Sequence, residues 1–160
     1  MLTKRILVAL SLLGLTAACG SAGDDAPVPV AQAAGITSKD IGDHVVHFNA
    51  QSTDQLPPEV AAAYNIVRSK NRAMITVSII EEGTTRSVAG DVSVKTVNLT
   101  GQLKNVTMRK VDEPGDPPAI YYIGITPVAN RETLIFDLSI QPEGVGKTSE
   151  VRFKQQFYTD

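Results

Sequence analysis

Arg68, Lys70 and Arg72 place three cations within five residues, and Tyr64 precedes them at the end of the run Leu56-Pro57-Pro58-Glu59-Val60-Ala61-Ala62-Ala63. Cations spaced by two project to one side of an extended segment. Held together, guanidinium and ammonium groups grip a carboxylate or phosphate through charge-assisted hydrogen bonds. Tyr64 would add an aromatic wall and a hydroxyl. The same charges also suit a solvated loop that blunts a sheet edge, which is the simpler reading. Tyr64, Arg68, Lys70 and Arg72 are the candidate binding surface in this sequence, and the ligand they would take is anionic.

Other groupings fail on spacing. His44 and His47 would share one side of a helix, but on a strand a separation of three points them to opposite faces, away from a common metal. Asp112, Glu113 and Asp116 crowd a Pro/Gly loop without the spacing of a calcium loop, and read as a solvated acidic turn. Gly144-Val145-Gly146-Lys147-Thr148 imitates the end of a phosphate-binding loop. Gln141 stands where that loop needs glycine, and the flanks alternate like a hairpin instead of leading from strand to helix. There is no Gly-x-Ser-x-Gly elbow, and the carboxylates are scattered over turns. No catalytic residue, metal ligand or cofactor is therefore expected, and the chain reads as non-enzymatic. The alternative is an enzyme or enzyme-accessory domain with a site built from scattered polar residues. It would show itself as a concave pocket holding titratable groups with shifted pKa values.

The elements that position these residues follow from composition and patterning. At 160 residues, 42% hydrophobic and 20% charged, the chain is long and apolar enough to fold around one core. A formal net charge of -2 argues against nucleic acid as a partner. The first residues differ from the rest. Lys4 and Arg5 precede the apolar run Ile6 to Leu15, and the small residues Thr16, Ala17 and Ala18 lead to Cys19, the sole cysteine. That order is a secretory signal, too short for a permanent span. Leu15-Thr16-Ala17-Ala18-Cys19 resembles the lipobox of bacterial lipoproteins, with Thr16 where leucine is usual. The resemblance implies a signal peptide over 1–18, a lipidated Cys19 at the new N-terminus and, with Gly20 following, release to the outer membrane. An ordinary signal peptide with an incidental cysteine is the competing reading. Residues 19–35 carry the lipid site and a flexible linker, in which Pro27 and Pro29 favour extended backbone. Once Lys4 and Arg5 are removed, the 15 basic residues become 13 against 17 acidic ones, a net of -4. Such a body is repelled by anionic headgroups, so attachment to the membrane would rest on acyl chains.

Residues 36–160 form one expected domain. Apolar and polar residues alternate by two in His44–Ala50, Arg72–Glu81, Val88–Lys95, Leu134–Gln141 and Val151–Tyr158, Leu103–Val111 is a weaker strand after the Thr100-Gly101 turn, and Ile120–Thr126 is almost wholly apolar. About seven strands separated by close turn signals predict an all-β, antiparallel, immunoglobulin-like sandwich. Leu56, Val60 and Tyr64 recur every four residues behind two prolines, which predicts one short helix over Pro57–Tyr64 between the first two strands. The expected core includes Ile75, Val77, Val92, Leu134, Phe136, Leu138 and Phe153.

Several stretches of this domain resemble a family of small exported proteins from gammaproteobacteria, catalogued as a domain of unknown function. They are Gly42–Ala50, Leu56–Tyr64, Ile66–Arg72, Ala119–Tyr122, Glu132–Phe136 and Arg152–Tyr158. The resemblance covers Gly42 to Asp160. It implies an exported β-rich domain and no activity. Together these readings predict a periplasmic protein held at the outer membrane by lipid, with an envelope protein or an anionic ligand as its partner.

Overall fold

Period-two alternation becomes strands wherever one face can be buried against a second sheet. The computed structural model describes residues 35–160. The signal segment 1–18, Cys19 and the linker up to residue 34 lie outside the described residues. In chain order the elements are β1 (Ser38–Asp40), β2 (His44–Ser52), a 3-10 turn (Thr53–Gln55), α1 (Pro58–Ala63), β3 (Arg72–Glu81), β4 (Gly90–Asn98), β5 (Leu103–Lys104), β6 (Arg109–Glu113), β7 (Ala119–Pro127), β8 (Glu132–Pro142) and β9 (Ser149–Phe157). One sheet runs β1-β2-β3-β7-β6 and the other β5-β4-β8-β9. Every pairing is antiparallel. Leaving β1 aside, β2-β3-β7-β6 takes the strand order of one immunoglobulin sheet. β4-β8-β9 takes that of the other, with β5 added at its margin.

Nine strands replace the expected seven, for two reasons. β1 has three residues, too few to display an alternation. Leu103–Val111, read as one strand, is two: β5 pairs with β4, while β6 pairs with β7 in the opposite sheet. Residues 105–108 carry the chain across, and Val106 and Met108 pack on the core beside Gly124. A Cβ at Gly124 would lie 2.6 Å from Val106 Cγ1 and 2.7 Å from Met108 Sδ, so both side chains of the crossing segment pack into the space that this glycine leaves open. The helix is Pro58–Ala63, shorter than expected, and with β1 counted it joins the second and third strands.

Between the sheets, Val46, Phe48, Ile75, Val77 and Ile79 meet Leu134, Phe136, Leu138, Ile140 and Val151, all buried. Phe153 stacks on Phe136 and tilts against Phe48, with both ring centroids 4.8 Å away. Val92 and Phe153, expected to be buried, are only partly so. Phe153 lies on the marginal strand β9. β5 covers β4 only at Thr96 and Val97, which leaves Val92 at an uncovered edge.

At one end the sheets are tied by the Gly90 amide, which donates to the Tyr122 hydroxyl oxygen at 2.8 Å. Backbone presses on Gly90: an added Cβ would meet the Gln141 carbonyl oxygen at 2.5 Å and Pro142 Cα at 3.0 Å. Backbone yields less readily than a side-chain tip. Gly90→Ala is therefore expected to cost about 1–3 kcal/mol, measured as a lower urea midpoint at unchanged slope.

Candidate functional site

The outer face of the five-stranded sheet carries α1, and the sequence shows why it sits there. Pro58 occupies the first turn, where a missing amide costs nothing, and the alanines that follow favour helix. Leu56 and Ala61 are buried against Met74 of β3, with Ile66 and Ile125 closing the contact. The helix ends in a Schellman motif: Ile66 N–H donates to the Ala61 carbonyl at 2.8 Å and Asn65 N–H to the Ala62 carbonyl at 3.1 Å. Asn65 takes the left-handed conformation that this motif requires, with φ of 54°. Tyr64, the residue before it, is thereby fixed at the helix end with its side chain half-buried.

Tyr64 and Val60 form one wall of an apolar groove of about 190 Å³. Its floor comes from three strands: Met74 and Thr76 of β3, Tyr121 and Ile123 of β7, and Val111 and Glu113 of β6. Thr76 is opposite Ile123, and Ile123 is opposite Arg109. The Arg109 guanidinium donates to the Tyr64 carbonyl at 2.5 Å, which ties β6 to the helix end.

The three cations that follow Tyr64 in sequence go elsewhere, and none of them lines the groove. Thr53, fully buried, pins their segment. Its hydroxyl oxygen accepts from the Ser69 amide at 2.9 Å and lies 3.0 Å from both the Val67 and the Ser69 carbonyls. Arg68 and Lys70 are exposed on either side of half-buried Ser69. Arg68 donates to the Asp54 carbonyl at 2.6 Å, Lys70 to the main-chain oxygen of Asp160, and Arg72 opens β3.

His44 and His47 lie on opposite faces of β2, as do Asp112 and Glu113 on β6. Among the described residues no group of His, Cys, Asp and Glu is arranged to hold a metal. The Gly144–Thr148 segment connects β8 to β9 as a hairpin loop and leads into no helix. It borders a second, polar hollow of about 530 Å³ that also takes in Asp91, Lys110, Tyr122 and Glu143. Lys110 is paired with Asp112 at 2.8 Å. The hydrogen bond the Lys110 ammonium donates to that carboxylate raises its pKa above the ordinary value and keeps it a cation instead of a base.

A buried polar cluster escaped the sequence because its members are far apart in the chain. Glu132 is paired with Lys104 at 2.9 Å, and it also accepts from the Ala129 amide at 2.9 Å and from Asn98 at 3.1 Å. The two charged side chains are only 15% and 11% exposed. Burial alone would raise the Glu132 carboxyl, but the Lys104, Ala129 and Asn98 hydrogen bonds outweigh it and hold the group below its ordinary 4.5. Every charge is answered within the cluster, so its role is to brace β5 and the β7–β8 turn. A depressed carboxylate adds stability that is complete above the unfolded value and is lost as pH falls through the folded one. The contribution should therefore persist at pH 5 and above and fade below about 4.5. Glu132→Gln is expected to flatten the loss of stability between neutral pH and about pH 3, followed by urea unfolding.

A two-sheet antiparallel sandwich of immunoglobulin-like order, with one helix on an outer face, is the class of domain these features define. The chain belongs to the DUF4426 family, described as a domain of unknown function, which it matches over residues 38–160. It is similar to a DUF4426 family protein of known crystal structure from Pseudomonas aeruginosa PAO1, at 32% identity and a TM-score of 0.65, over 77% of this chain and 94% of that one. No curated protein matches it.

Proposed function

We propose that this chain is a non-enzymatic binding module of the cell envelope, exported across the inner membrane and anchored by lipid on Cys19, whose ligand site is the groove beside α1. Lys4, Arg5, the apolar run and the small residues before Cys19 support export and lipidation. The linker that follows would let the domain stand off the outer membrane on the periplasmic side.

The observation that carries the binding site is the groove itself. It is a concave, mainly apolar surface with two tyrosines, set on strands and on a capped helix end. Ligand sites have this character, with apolar walls and few polar groups placed on rigid elements. Arg68, Lys70 and Arg72 lie outside it, so an anionic partner would meet them at the open surface instead.

A neutral apolar fluorophore, N-phenyl-1-naphthylamine, tests the site. The purified protein should raise its emission saturably, and Val60→Glu should abolish that response while leaving the thermal midpoint within a few degrees. Reversing the charges at Arg68 and Arg72 should leave the response intact. A response that is absent, or that survives Val60→Glu, would remove the groove as a ligand site.

A further inference from the structure

We infer that the groove selects a small organic cation with an apolar body, and that Glu113 is its counter-charge. The inference rests on the groove being the ligand site and names the ligand it takes.

Glu113 is half-buried in the groove lining, and its carboxylate makes no hydrogen bond or ion pair with any described residue. Its neighbours explain this. On the same face of β6, Arg109 is committed to the Tyr64 carbonyl. Lys110 and Asp112 project to the other face and pair with each other. Across the ladder Glu113 is opposite Ala119, and β6 is the marginal strand, with no further strand paired beyond it among the described residues. A carboxylate beside apolar surface, with no cation to answer it, favours a positive ligand over a neutral or negative one.

The walls point the same way. Tyr64 and Tyr121 both line the groove, and the π-face of an aromatic ring attracts a cation within about 6 Å of it. Met74, Val111 and Ile123 offer an alkyl or aryl body the apolar contact it needs. Arg109 turns its guanidinium to the main-chain oxygen of Tyr64 and does not line the groove, so an anionic ligand has no basic side chain among the lining residues.

Benzyltrimethylammonium, 3-phenylpropan-1-ol and phenylacetate offer the groove the same ring with a positive, a neutral and a negative end. Titrated calorimetrically into the full-length protein, the cation should bind about tenfold more tightly than either of the others. Glu113→Gln should remove most of that preference and leave the affinity for 3-phenylpropan-1-ol unchanged. Glu113→Lys should transfer the preference to phenylacetate, and Tyr121→Leu should weaken the cation more than the alcohol. Equal affinities for cation and alcohol, tighter binding of phenylacetate by the wild type, or a Glu113→Gln protein with undiminished preference would overturn the inference. Each of these would leave the groove standing as a site, provided the neutral fluorophore still binds and Val60→Glu still abolishes its binding. Loss of that fluorophore response as well would sink the site along with its ligand.

Discussion

Phe136→Ala is expected to lower the unfolding free energy by about 3–5 kcal/mol. Phe136 is fully buried on β8, between β4 and β9, and its ring stacks on Phe153 with centroids 4.8 Å apart. Phe153 in turn tilts against Phe48 of the opposite sheet, so removing the central ring withdraws contacts from both layers. Because the structure around a removed ring relaxes only in part, the lost transfer energy is joined by the cost of a cavity. The sole cysteine lies at position 19, outside the domain, so no disulfide restrains the unfolded chain and the core must supply the stability. With total stabilities of domains at about 5–15 kcal/mol, a loss of that size leaves a protein near its threshold. Urea unfolding of the two proteins reads it directly. A loss below about 1 kcal/mol would mean that Phe136 is not in the core. Ile135→Ala, one residue away and facing outwards, should cost clearly less.

Cys19→Ser is expected to abolish the lipidated, detergent-partitioning mature protein. In the proposed anchor, the cysteine that closes the signal carries the acyl chains, and the body cannot replace them. Without its signal the chain has a net charge of -4, which anionic headgroups repel. Among the described residues no helix is long and apolar enough to cross a membrane. The variant should accumulate as uncleaved precursor or appear as soluble protein, where the wild type partitions into detergent with the membranes. A wild type cut at another bond and free of lipid by intact-mass measurement would refute the anchor. The groove beside α1 would be untouched by that result.

Much of the sandwich was legible because alternation is a direct imprint of a half-buried strand. Ala73, Ile75, Val77 and Ile79 line one face of β3 as the pattern requires, and all four are buried. The pattern failed where the fold breaks its own regularity. Leu103–Val111, read as one weaker strand, has its apolar residues Leu103, Val106, Met108 and Val111 at uneven spacing, and the chain changes sheets in its middle beside Gly124. Lys104 and Glu132 carry no signal of their pairing, because 28 residues separate them.

Of the residues that line the proposed groove, the sequence singled out one. Tyr64 stood out for its place at the end of a short helix, and the cations behind it drew attention to an anionic ligand. The groove floor remained invisible because β3, β6 and β7 assemble it from three distant segments. Glu113 read as one of several acids near a Pro/Gly turn. Only the register with Ala119 and the commitment of Arg109 to the Tyr64 carbonyl distinguish it from Asp112 beside it. Asn65 could have been found earlier: an asparagine directly after a helical alanine run is a stop signal in its own right.

The most direct test of the central claim, that the groove beside α1 is where this protein binds its ligand, is a ¹H–¹⁵N correlation titration of the ¹⁵N-labelled protein with the neutral N-phenyl-1-naphthylamine. Saturable shifts should be confined to the amides of Val60–Tyr64, Met74–Thr76, Val111–Glu113 and Tyr121–Ile123, which surround the groove. Shifts centred instead on Asp91, Lys110 and Glu143 around the polar hollow, or on Arg68–Arg72, or no saturable shift at any concentration, would contradict it.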